Sequence, residues 1–230
     1  MEQAIKEKNW KALRFPVLFV TAIWAVHLFL YFEKIHAFTY GVYPRTLSGL
    51  TGIFSYPFIH ENFQHIFNNS IPILVLGWAI FHFYKEVALK TVVYIWLISG
   101  FWLWIIGRPA YHIGASGLVY GFAAFLLLSG ILRREPRVAG ISLLVIFLYG
   151  SLVWGLFPIE YNISFEAHLC GTIAGLVLAY LYRNTGIQKQ EFVWEEEDEI
   201  EVLQTEEEGN GSADSTQSVV VNYTFVQTEK

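Results

Sequence analysis

Charged residues are absent from six long stretches of this chain: 15–32, 62–84, 91–107, 109–132, 138–159 and 167–182. A helix that crosses the ~30 Å hydrocarbon layer of a bilayer needs roughly 20 apolar residues, with about 17 tolerated. Lipid offers backbone N–H and C=O groups no partners, so only helices or closed barrels can span it. The runs are too long and too continuous for the short alternating strands of a membrane barrel. The pattern therefore predicts an all-α polytopic membrane protein with six spans, at about 15–32, 62–84, 90–107, 114–132, 138–157 and 165–183.

Segment 33–61 breaks the rhythm. Its stretch from Thr46 to His60 is uncharged, yet Pro44, Gly49, Gly52 and Pro57 interrupt any long helix. Apolar but broken sequence predicts a loop in one leaflet, lying against the bundle, because irregular backbone is tolerated there only under a cover of protein.

Composition sharpens this picture. The chain is 54% hydrophobic and 15% charged, which excludes disorder for most of it, and its single cysteine, Cys170, excludes a disulfide scaffold. The net charge of -5 conceals a division: residues 1–190 carry +6 and residues 191–230 carry -11. With the N-terminus inside, eleven Lys and Arg fall in cytoplasmic segments and three, Lys34, Arg45 and Arg108, in outer loops. That asymmetry satisfies the positive-inside rule and predicts that both termini are cytoplasmic. Residues 1–14 form a short N-terminal segment, 15–183 the membrane domain, and 184–230 an acidic, flexible tail. A cytoplasmic partner of that tail is left open; Val219–Val226 has strand propensity and could extend a partner's sheet. Nothing in the charge pattern calls for nucleic acid.

Polar groups inside spans are costly, so each needs a reason. Span two opens with His60, Gln64, His65, Asn68 and Asn69. On a helix His65 and Asn69 share a face and can donate toward one point. Helix-to-helix bonding alone would also account for them. The fragment from His60 to His65 resembles a zinc-protease motif only superficially. Its i, i+5 spacing turns the two rings about 140° apart, so no metal is expected. Span four opens with Gly114-Ala115-Ser116-Gly117-Leu118-Val119-Tyr120-Gly121. A lone serine in such a helix usually bonds its own backbone. Here Gly114 permits an unusual turn, and Gly117 with Gly121 makes a face for close helix approach. Span six repeats the layout with His168, Gly171 and Gly175. The two spans run parallel under the predicted topology. If their glycine faces meet, Ser116 and His168 come to similar depth at close range.

This constellation resembles the rhomboid family of intramembrane serine proteases. The resemblance covers most of residues 40–182 and rests on Gly-Ala-Ser-Gly at 114–117 with Tyr120, on His168 with Gly171 and Gly175, and on His60, His65 and Asn69. One departure is visible: many rhomboids carry a Trp-Arg pair in the first outer loop, where this chain has Pro44-Arg45 and no Trp between 25 and 77. The resemblance implies a Ser–His dyad without a cofactor. Ser116 would be the nucleophile and His168 the general base and acid. His65, Asn69 and the Ser116 backbone N–H would stabilise the oxyanion. Tyr120, one turn after Ser116, could pack on the imidazole or be an ordinary interface aromatic. Glu166 lies about 200° around the helix from His168 and is no third member.

Substrates would be single-pass or other transmembrane proteins, cut near the outer face of a bacterial inner membrane. Trp154, Leu156 and Phe157 would act as gate residues or as interfacial anchors. His27, His82 and His112 have no paired motif, and Cys170 reads as packing. Two other functions are compatible with parts of the pattern: an inactive rhomboid-like binder of membrane helices, and a histidine-rich bundle holding haem between His65 and His168.

Overall fold

The computed structural model describes residues 2–148, 151–160 and 163–185, with side chains from Trp10 onward except at 148, 151 and 152. The chain divides into two units, residues 1–190 and 191–230. The second, which holds most of the expected acidic tail and the Val219–Val226 stretch, lies outside the described residues.

All regular structure among the described residues is helical apart from one isolated bridge. In chain order the described helices are α1 (Glu2–Phe32), α2 (Leu47–Ser55), α3 (Phe63–Phe83), α4 (Ala88–Ile106), α5 (Ser116–Leu132), α6 (Pro136–Leu148), α7 (Ser151–Trp154) and α8 (Phe165–Leu181). Trp10–Phe32, Phe63–Phe83 and Ala88–Ile106 are each long and apolar enough to cross a membrane; α5, α6 and α8 are shorter apolar helices. The protein is an integral membrane protein built as a helical bundle.

Side-chain capping explains where two of these helices begin. The Asn62 side chain accepts from the His65 N–H at 2.8 Å at the start of α3, and Ser164 Oγ accepts from the Ala167 N–H at 3.2 Å at the start of α8. The segment expected as a fifth span, 138–157, holds α6 and α7, with residues 149–150 between them outside the described residues.

α5 sits at the centre. Every residue from Gly117 to Leu126 is buried, and the helix packs on α8, α6, α3 and α4. A helix apolar on all sides is one surrounded by others. In lipid, apolar burial between helices supplies little drive, so close packing and hydrogen bonds hold them together. α1 meets α3 in this way: Pro16 seats against Gly77, Phe15 stacks on Phe81 at 4.9 Å, and Trp24 Nε1 donates to Ser70 Oγ at 3.0 Å.

The segment between α1 and α3 is more ordered than its glycines and prolines predict, because it contains α2. Gly49 and Gly52 lie buried within that helix, where side chains would collide with the backbone of Tyr43 and Gly41. Thus the glycines let a helix lie on an extended segment, and they do not break it. Val42 pairs with His112 in an antiparallel bridge, and Val42, Ile53, Tyr56, Leu103, Ala167 and Cys170 form the apolar cluster beneath the loop. Cys170 is a free, buried packing residue. Arg45 supplies the polar fastening: its Nη1 donates to the carbonyls of Ile105 and Gly107 at 3.0 and 2.9 Å, at the C-terminus of α4. A cation there bonds carbonyls that the helix leaves unsatisfied. Trp104 of α4 donates from Nε1 to the Thr46 carbonyl at 2.8 Å, so an indole reaches this loop from the neighbouring helix.

Candidate active site

α5 and α8 meet backbone to backbone. A Cβ at Gly171 would fall on the Gly117 carbonyl, and one at Gly175 on the Gly121 carbonyl. This approach brings the first turn of α5 beside the first turn of α8. His168 Nε2 and Ser116 Oγ are 2.8 Å apart. The other ring nitrogen, Nδ1, is 2.9 Å from the Gly155 carbonyl oxygen. A carbonyl can only accept, so Nδ1 carries the proton and donates. Nε2 is then the lone-pair nitrogen, and Ser116 Oγ–H donates to it. The Tyr120 ring stacks on the imidazole with centroids 4.1 Å apart and planes 10° from parallel. Ring orientation and tautomer are thus both held without a carboxylate. Both nitrogens of His168 are engaged and one face of its ring is covered.

On the other side of Ser116, three groups converge on the backbone at 114–116. Gly114 has φ +102°, a conformation open to glycine, and a Cβ there would stand 2.6 Å from His65 Nε2 and 3.8 Å from Asn69 Nδ2. Asn69 is buried, and its Nδ2 has no hydrogen-bond partner. A buried orphan donor beside a nucleophile calls for an explanation, and an acceptor that arrives with the substrate supplies one. His60 packs edge-on to His65 at 4.9 Å, and its Nε2 accepts from the Ala115 N–H at 3.4 Å. Unlike α3 and α8, α5 has no side-chain cap at its N-terminus. The Ser116 N–H is among the first-turn donors for which a helix provides no acceptor.

A polar latch that the sequence did not single out fixes the height of α8. Arg108 donates from Nη2 to the Ile163 carbonyl at 2.9 Å, and its Nε lies 3.7 Å from Glu166 Oε1. Glu166 thus pairs with the loop after α4 and not with His168. His112 Nε2–H donates to the Arg108 carbonyl at 3.1 Å, and His112 Nδ1 accepts from Ser164 Oγ at 2.6 Å. Burial holds this loop imidazole below its ordinary pKa, which keeps it neutral and able to play both parts. Because Ser164 also caps α8, the chain His112–Ser164–Ala167 ends one residue before His168. A serine four residues ahead of His168 in a capping position was the readable signal. The Gly155 carbonyl had none, since every residue carries one.

The model of the rhomboid domain matches residues 48–185, more than half of the chain and the whole of the segment just described. This chain belongs to the rhomboid family. An uncharacterised protein of Mycobacterium tuberculosis is 33% identical over 189 residues, covering 78% of this chain and 79% of its own. An uncharacterised protein of Mycobacterium leprae is 38% identical over 142 residues, covering 57% of this chain and 56% of its own. A protein of Acanthamoeba polyphaga mimivirus, provisionally named a rhomboid, is 30% identical over 140 residues, covering 54% and 71%. In this rhomboid the exposed Trp154 and Phe157 flank Gly155, with their rings 6.5 Å apart. The carbonyl that orients His168 therefore sits between the two expected gate aromatics.

Proposed function

We propose that this rhomboid is an intramembrane serine endopeptidase that cleaves transmembrane-anchored proteins through an acyl-enzyme. The observation that carries the reading is Ser116 Oγ at 2.8 Å from His168 Nε2, with Nδ1 engaged by Gly155. His168 takes the serine proton, Ser116 attacks the scissile carbonyl, and the imidazolium returns the proton to the leaving amine. Water, activated by the same nitrogen, then releases the acyl group. The oxyanion is met by Asn69 Nδ2, His65 and the Ser116 N–H, donors in place before reaction. Tyr120 and the Gly155 carbonyl take over the orienting part that a third carboxylate plays in other serine hydrolases.

The wider reading has six spans, both termini cytoplasmic, a site near the outer face of a bacterial inner membrane, and substrate entry past α6, α7 and the gate residues Trp154, Leu156 and Phe157. The test is labelling by a serine-directed fluorophosphonate in detergent and in liposomes. Wild type is expected to label while Ser116→Ala and His168→Ala do not. Equal labelling of all three would sink the protease reading and leave an inactive helix binder.

A further inference from the structure

A cavity of about 410 Å³ opens at the far end of α1, on the other side of His60 from Ser116, and has no part in the chemistry above. That volume is within the range of small-ligand sites. Its polar lining is His27, Tyr31, Lys34, His36, His60 and Glu61, and its apolar walls include Ile35 and Ile113. The apolar span of α1 ends at Phe32, so the cavity straddles the level at which acyl chains give way to headgroups. That placement holds whichever way the chain faces.

Two features distinguish this cavity from a packing gap. His27 is only 6% exposed, and its Nε2 has no hydrogen-bond partner. A buried polar nitrogen is normally bonded, and burying it unpaired is unfavourable. Lys34, Glu61 and His36 stand exposed at the rim, presenting one cation and one anion beside imidazole groups. Beside them Ile35 and Phe38, both in the cavity wall, are exposed and offer apolar surface to a hydrocarbon chain.

We infer that this cavity binds the headgroup of a glycerophospholipid, its phosphate held by His27 and Lys34 and an ethanolamine ammonium by Glu61. An ionised phosphate accepts from an imidazole N–H and from an ammonium in short, charge-assisted bonds, while Glu61 complements the cationic end. The acyl chains leave the cavity past Ile35 and Phe38. Because His60 lines the cavity and accepts from the Ala115 N–H, the bound headgroup touches a support of the residue before Ser116.

The site is tested by binding alone, so its outcome is separate from that of the protease reading. The full chain in a phosphate-free maltoside detergent is titrated with dihexanoyl phosphatidylethanolamine and followed by native mass spectrometry. A one-to-one adduct is expected, weakened about tenfold by His27→Ala and by Lys34→Gln. His27→Gln, which restores an N–H donor, is expected to weaken it less. Lys34 stands on the exposed rim, so its variant remains informative if His27→Ala fails to fold. Unchanged affinity in the Lys34 and His27 variants overturns the proposal. Equal binding of dihexanoylglycerol, which lacks the phosphate, also overturns it. Inorganic phosphate binding as tightly as the lipid would show a simple anion site and overturn it too.

Discussion

Between α5 and α8, glycine meets backbone and no side chain intervenes; between α7 and α8 the described contact to the reacting pair is one carbonyl, that of Gly155. The first region places Ser116 and His168 side by side with nothing flexible between them. The second is the end of α7 and the turn after it, where Trp154 and Phe157 are exposed. Close packing resists displacement because a small shift forfeits many contacts at once, whereas one hydrogen bond can be broken and remade. One side can therefore hold geometry while the other is free to move, as the proposed entry of substrate there requires. The cost of that arrangement is that movement at Gly155 also releases the His168 tautomer.

The sharpest break of this comparison is at the reacting pair itself. Ser116→Ala and His168→Ala should each lower peptide cleavage by at least ~10³-fold while thermal unfolding in detergent barely changes. Next comes the packed face. Gly171→Val inserts a branched side chain where a Cβ already meets the Gly117 carbonyl, so α5 and α8 must separate. Both fluorophosphonate labelling and stability should fall, the latter by about 1–3 kcal/mol or more. Asn69→Ala should separate chemistry from folding: cleavage slows about 10²–10³-fold, with the unfolding temperature held.

On the α7 side the expected effects shrink and change kind. Phe157→Ala should leave stability within about 0.5 kcal/mol and labelling by a small probe unchanged. Cleavage of a transmembrane substrate should instead speed up several-fold if bulk at that position limits entry. Slower cleavage with slower labelling would mean that Phe157 supports His168 and is no gate.

The smallest effect concerns the latch. His112 has its pKa depressed by burial, so the unfolded chain binds its proton first. Its contribution is fully present above the ordinary imidazole value of about 6.5 and is lost as pH falls below it. His112→Asn should therefore flatten part of the acid-side decline in stability between neutral and mildly acidic pH. An unaltered profile would remove His112 from the latch.

Much of this site was legible before any coordinates. Gly117 and Gly121, with Gly171 and Gly175, mark two faces by spacing alone, and a side chain one to three residues ahead of each face must arrive at the same depth. For that reason Ser116 and His168 could be paired from the chain, and His65 with Asn69 from the four-residue repeat of a helix. Family membership was legible in the same residues. The segment between α1 and α3 is less legible. Gly49 and Gly52 read as interruptions of any long helix, and only the fold shows them as the points where the nine-residue α2 touches extended backbone.

The sequence by itself determined a helical membrane protein, because hydropathy and periodicity are local properties of a chain, and its motifs carried the resemblance to the family that the family model then bore out. Only the tertiary structure decided which nitrogen of His168 holds the proton, since that depends on the carbonyl of Gly155, thirteen residues away in sequence. The same is true of Arg45 at the end of α4, of His112 beneath the cap of α8, and of an unpaired His27 beside Lys34. Each is a contact between segments remote along the chain. Backbone carbonyls and buried nitrogens look alike in every sequence until folding gives each one its neighbour.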